Sequence, residues 1–101
     1  MCAAECRSKI TKIREEINIL TTQKQNCIAQ RKTIMNKDII SDVEMAEAEI
    51  LMDNINILRE QLANLIDEEI RLVDFLNEVD RSQMELKKIM NAIFQPKPDD
   101  N

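Results

Sequence analysis

From Leu51 to Ile93 the chain repeats in steps of four and three: Leu51, Ile55, Leu58, Leu62, Leu65, Glu69, Leu72, Leu76, Val79, Gln83, Leu86, Met90, Ile93. Eleven of these thirteen positions are apolar, and the phase never slips. A spacing of about 3.5 residues keeps one stripe of a helix turned toward a neighbouring helix over its whole length. At 1.5 Å per residue the stripe runs roughly 65 Å, longer than a compact domain of this size needs. A helix of this kind must lie against something.

Composition narrows the fold class further. The chain has no Gly, Trp, Tyr or His, two Phe, and both of its Pro within the last six residues. Tight turns draw on Gly and Pro for their backbone angles, and strands draw on aromatic residues. Their scarcity, with 33% of residues charged, predicts an all-α chain of long helices and few loops. At 101 residues it amounts to one domain, expected over 1–95 with a disordered tail at 96–101.

An earlier seam runs Cys6, Ile10, Ile13, Ile17, Leu20, Lys24, Cys27, Arg31, Ile34. Lys24 and Arg31 sit on the stripe there while Ile28 and Met35 appear one position along, so the apolar face drifts sideways. This predicts a first helix over about 6–36, with residues 1–5 frayed. Between Asn36 and Ser41 the phase is lost. Ser41 and Glu44 have capping-box spacing, and Ile40 and Met45 stand where a hydrophobic staple would. The expectation is a turn at 36–41 and a second helix over about 42–94, ending near Phe94 because Pro96 disfavours helix at Gln95.

Charge chooses between arrangements. Residues 1–37 carry eight basic and three acidic side chains, whereas residues 38–72 carry two basic and ten acidic. Like arms side by side repel, and unlike arms attract. The expected fold is therefore an antiparallel helical hairpin with unequal arms. A fold centred in the 36–41 turn sets Ile34 near Val43, Cys27 near Ile50, Leu20 near Ile57 and Leu58, and Ile13 near Leu65. It also sets Lys24 opposite Asp53 and Arg31 opposite Glu47. The same opposition arises if the arms come from different subunits, and a parallel rod is the main architectural rival. The shorter arm runs out near Leu72. Beyond it lies the candidate partner interface: Leu72, Leu76, Val79, Gln83, Leu86, Met90, Ile93 and Phe94. Ile66, Val73, Phe75 and Ile89 widen the stripe, which suits a three- or four-helix bundle completed by oligomerisation.

Chemistry has little to work with. Without Gly there is no phosphate-cradling loop or dinucleotide fingerprint, and without His the usual general base and commonest metal ligand is missing. No catalytic residue, cofactor or metal is expected. The net charge of −5 argues against a general nucleic-acid binder. No apolar run approaches the roughly 18 residues of a membrane span, no signal-peptide core opens the chain, and three cysteines fit reduced thiols, so an intracellular setting, cytoplasmic or nuclear, is expected.

Individual residues have simpler readings beside functional ones. Glu69 and Gln83 could fix register or choose a partner; the simpler reading has Glu69 reach Lys9 or Lys12. Cys27 reads as a small core residue, Cys2 and Cys6 as exposed or marginally buried thiols, and Met45, Met52, Met84 and Met90 as gap-filling core. The run Leu76-x-x-Val79-x-x-x-Gln83-x-Glu85-Leu86 resembles a coiled-coil segment of central-channel FG nucleoporins, but these are mostly heptad positions, no Phe-Gly repeat accompanies them, and no family is assigned. The expected function is a non-enzymatic assembly or scaffold subunit that binds protein, as a homo-oligomer or a hetero-coiled-coil complex. The alternatives are an adaptor that captures amphipathic helices and a membrane-surface or vesicle-tethering component.

Overall fold

A computed structural model of the chain describes residues 1–94 and contains two helices, α1 (Ala3–Met35) and α2 (Asp42–Phe94). They fold back on one another as an antiparallel hairpin with principal-axis extents of 91 × 25 × 14 Å. The tail expected at 96–101 lies outside the described residues.

α1 begins earlier than the sequence predicts. Cys2 is extended and caps the helix: its Sγ accepts from the Glu5 backbone N–H (3.4 Å) and its carbonyl accepts from the Cys6 N–H (3.0 Å). The thiol thereby satisfies one orphan donor of the first turn and the carbonyl accepts the first i→i−4 bond, so Ala3 to Glu5 are helical rather than frayed. Glu5 in the first turn and Lys32 in the last complement the helix dipole. Thr11, Thr22 and Thr33 each donate a hydroxyl to the carbonyl four residues back, which lets these β-branched residues sit inside a helix with their polar atom occupied.

The turn is built without any positive φ angle. Asn36 and Lys37 close the end of α1, donating backbone N–H groups to the Lys32 and Ile34 carbonyls (3.0 and 3.2 Å). Reversal is complete at Ser41, where the capping box forms as its spacing predicts. The Glu44 N–H donates to Ser41 Oγ (3.1 Å), and the Ser41 N–H donates to Glu44 Oε1 (3.1 Å). The Lys37 ammonium also pairs with the Glu44 carboxylate. The Lys37 ammonium, the Ser41 N–H and the Ser41 hydroxyl all donate to the Glu44 carboxylate and hold it well below its ordinary range, at about 2, the Lys37 hydrogen bond having the largest effect.

The two seams meet along their length. Cys6, Ile10, Ile13 and Ile34 from α1 are buried against Ala48, Ile55 and Leu62 from α2. Each large aliphatic side chain among them contributes about 1.5–3 kcal/mol by leaving water. Cys6, which opens the α1 seam and is expected from the sequence to be exposed or marginally buried, is fully buried, and its thiol donates to the Leu72 carbonyl (3.3 Å).

The register differs from the one expected. Val43, Ile50 and Ile57, assigned to the interface by a fold centred within 36–41, are 78%, 61% and 53% exposed. Arg14 lies against Glu69 instead (2.5 Å), Cys27 shares a groove with Asn54 and Leu58, and Ile10 shares one with Val73 and Leu76. Arg14 facing Glu69 places the centre of the fold at the Ser41 end of the turn rather than within it. The α2 partners of mid-α1 residues therefore lie more than a helical turn later than expected, although α1 ends at Met35, within a residue of the sequence expectation. Two expected ion pairs are lost with it. Lys24–Asp53 and Arg31–Glu47 do not form; among the described residues the ion pairs are Arg14–Glu69, Lys37–Glu44 and Arg81–Glu78. Glu69 is thus held by Arg14 rather than by Lys9 or Lys12, and Arg31 Nε is buried without a hydrogen-bond acceptor.

Candidate functional site

The later register carries the first turn of α1 past Leu72 to the level of Asp80, where Arg7 and Ile10 line a groove with Leu76 and Asp80. The expected interface residues therefore divide. Leu72, Leu76 and Val79 lie on the stretch that α1 covers and are half-buried. Gln83, Leu86, Met90, Ile93 and Phe94 lie beyond it and are exposed, as is every residue from Asp80 to Phe94. Leu86 is 56%, Ile93 66% and Phe94 75% exposed.

This end of α2 keeps the geometry of the seam after its cover has stopped. Gln83, Leu86, Met90 and Ile93 follow Ile55, Leu62 and Val79 in unbroken phase, so they share one line along the helix. Ile89 and Met84 lie beside that line and are also exposed. Met84 and Met90 consequently do not fill a core in this chain, whereas Met52 is half-buried. Charged groups on the projecting end are Asp80, Arg81, Glu85, Lys87 and Lys88, beside the polar Ser82, Gln83 and Asn91, and Arg81 pairs with Glu78 one turn back (3.2 Å).

Two grooves flank the hairpin nearer the turn. One of about 490 Å³ is lined by the amides of Gln23, Asn26, Asn54 and Gln61 with Cys27, Ile57 and Leu58. The other, about 360 Å³, has apolar walls from Ile28, Met35, Met52 and Ile55, with Arg31, Lys32 and Arg59 around it and no acidic residue. The apolar flank of the second groove is legible in the sequence as the sideways drift at Ile28 and Met35. The stripe Val43, Ile50, Ile57 is a sequence signal too, a seven-residue repeat off the main seam, but the register expected from the turn hid it inside the interface.

The arrangement offers apolar helix faces and scattered charges rather than converging reactive groups. Among the described residues no group of three or more Cys, Asp or Glu side chains is gathered so as to hold a metal ion, and no helix is long and apolar enough to cross a membrane. Cys2, Cys6 and Cys27 are all unpaired thiols. The chain matches no protein-family model, no curated protein and no solved structure.

Proposed function

We propose that this protein is a non-enzymatic assembly subunit whose long helix docks on partner helices through its projecting end, completing a three- or four-helix bundle. The observation that carries this reading is the uninterrupted exposure of residues 80–94 with the seam still in phase. Five of its large apolar side chains, Met84, Leu86, Ile89, Ile93 and Phe94, are more than half exposed. Burying side chains of this size is worth roughly 1.5–3 kcal/mol apiece when complete, so a partner helix laid on this line gains a large driving force. Contiguous apolar surface on a soluble chain usually marks an association site.

Sedimentation velocity on the full chain, together with the form isolated from its source, tests the reading. An associated species is expected, homo-oligomeric or hetero-oligomeric, and the double substitution Leu86→Asp with Ile93→Asp should dissolve it while circular dichroism stays helical. A chain that is monomeric from both sources, or an assembly indifferent to that double substitution, would overturn it.

A second reading rests on the groove between Ile28, Met35 and Met52. Its three cations and the acceptor-less Arg31 Nε suit an amphipathic helix that brings a carboxylate, as an adaptor's target would. An adaptor differs from a scaffold in remaining a soluble monomer with that groove empty between targets.

A further inference from the structure

One column of α2 reads Val73, Asp80, Lys87, Phe94, each seven residues from the next. Seven residues make close to two turns, so the four line one flank of the helix beside the seam. From either end the order is apolar, charged, charged, apolar, and the two central charges are of opposite sign. Such a column is complementary to itself when reversed.

We infer that the projecting end of α2 pairs antiparallel with the same end of a second copy of this chain, Asp80 of each facing Lys87 of the other. The inference rests on the assembly reading above and names its partner. Two-fold symmetry makes such a contact isologous, so both ion pairs form at once and both Val73 side chains meet a Phe94. Beyond the end of α1 the seam follows the same alignment, Gln83 of each copy coming beside Leu86 of the other. A parallel pairing instead stacks Asp80 on Asp80 and Lys87 on Lys87, which repel.

The fold leaves these groups available. Neither Asp80 nor Lys87 takes part in an ion pair among the described residues. Arg7 and Arg14 line the same groove as Asp80 without pairing with it. That groove, about 300 Å³ and bounded by Ile10, Val73 and Leu76, opens on the flank where Phe94 of the second copy arrives. Phe94 is itself 75% exposed. The incoming helix also takes the direction that α1 already takes along α2, and it enters where α1 stops. Near Leu76, where α1 occupies the seam, it lies on the Val73 flank. With each rod 91 Å long, an overlap from Val73 to Phe94 gives an end-to-end dimer roughly 150 Å in length.

Charge exchange in the full chain tests this, with association measured by sedimentation equilibrium from low-micromolar to several hundred micromolar and length by small-angle scattering. Asp80→Lys and Lys87→Asp should each weaken dimerisation about tenfold, since each turns two attractive pairs into two repulsive ones. The double variant should return to wild-type affinity, and an equimolar mixture of the single variants should form a heterodimer. Single variants that dimerise like wild type, single losses without rescue, or a wild-type chain that is monomeric throughout would each overturn the inference. A dimer indifferent to charge exchange yet dissolved by Leu86→Asp with Ile93→Asp removes only the antiparallel alignment. Indifference to both sets removes the assembly reading as well.

Discussion

Ile55 and Ile57 offer a direct test of the register, because they are two residues apart on α2 and one is 2% exposed while the other is 53% exposed. Replacing Ile by Ala removes three carbons, worth about 2.4 kcal/mol if all leave a buried site, before any cavity cost. Alanine returns about 0.4 kcal/mol through its better helix propensity. At Ile55 the neighbours on α1 cannot all close over the gap, so Ile55→Ala should cost about 2–4 kcal/mol. At Ile57 roughly half of the transfer term is already forfeited to solvent, and Ile57→Ala should cost under about 1 kcal/mol. For a chain of this size 1 kcal/mol moves the melting temperature by about 4–8 °C, so the two variants should separate by well over 5 °C. Urea unfolding followed by circular dichroism at a protein concentration below any association gives both numbers. Equal losses at the two positions, independent of concentration, would refute the register, since the alignment expected from the sequence sets Ile57 against Leu20 and so buries it along with the seam residue Ile55.

Two further predictions concern polar residues. Glu44, whose folded carboxyl titrates at about 2 against an ordinary value of 4.5, stabilises the turn fully above pH 4.5, and this contribution is lost as pH falls through the interval down to about 2. Glu44→Gln should therefore melt below wild type at neutral pH and converge with it near pH 2, as read from paired thermal melts; a gap that persists unchanged in acid would count against the assigned cause. At Glu69, a half-buried seam residue, the exposed Arg14 pair is worth about 0–1 kcal/mol, less than an apolar side chain in the same seat. Glu69→Leu should accordingly stabilise the hairpin by about 1 kcal/mol in denaturant unfolding, and a destabilisation would show that the ion pair matters more than its exposure implies.

The helix positions and the direction of the hairpin were readable because they depend on patterns summed over many residues. The phase of Leu51 to Ile93 needs no knowledge of a partner, and the surplus of basic residues in α1 against acidic residues in α2 biases the fold whatever the contacts. The capping box was readable because it is local: Ser41 and Glu44 satisfy each other within one turn. Register was not readable, since it depends on where within residues 36–41 the chain reverses, and a heptad seam accepts a slip of several residues with another set of apolar pairs. The ion pairs at Lys24 and Arg31 failed for the same reason, while the burial of Cys6 follows from its place at the head of the α1 seam. Of the candidate interface, the part from Gln83 to Phe94 was legible because no register of the two arms could cover it.

That last point follows from the lengths of the helices and the short connection at 36–41, which keeps α1 at the near end of α2. A 33-residue helix laid on a 53-residue helix leaves about five turns of the longer one without a neighbour, whichever register is chosen. A projecting helix under no further constraint has no physical reason to keep its apolar residues in phase with a seam that has ended. Solvated helices tolerate any pattern, and apolar residues on them add nothing to stability until they are covered. In α2 the phase continues past Val79 through Leu86, Met90 and Ile93, interrupted only by Gln83. A polar residue at one seam position lowers the affinity of a contact while fixing its alignment. The combination of unbroken phase and a single polar layer is what a helix needs if another helix must find it in one register, and this supports association at the far end of α2.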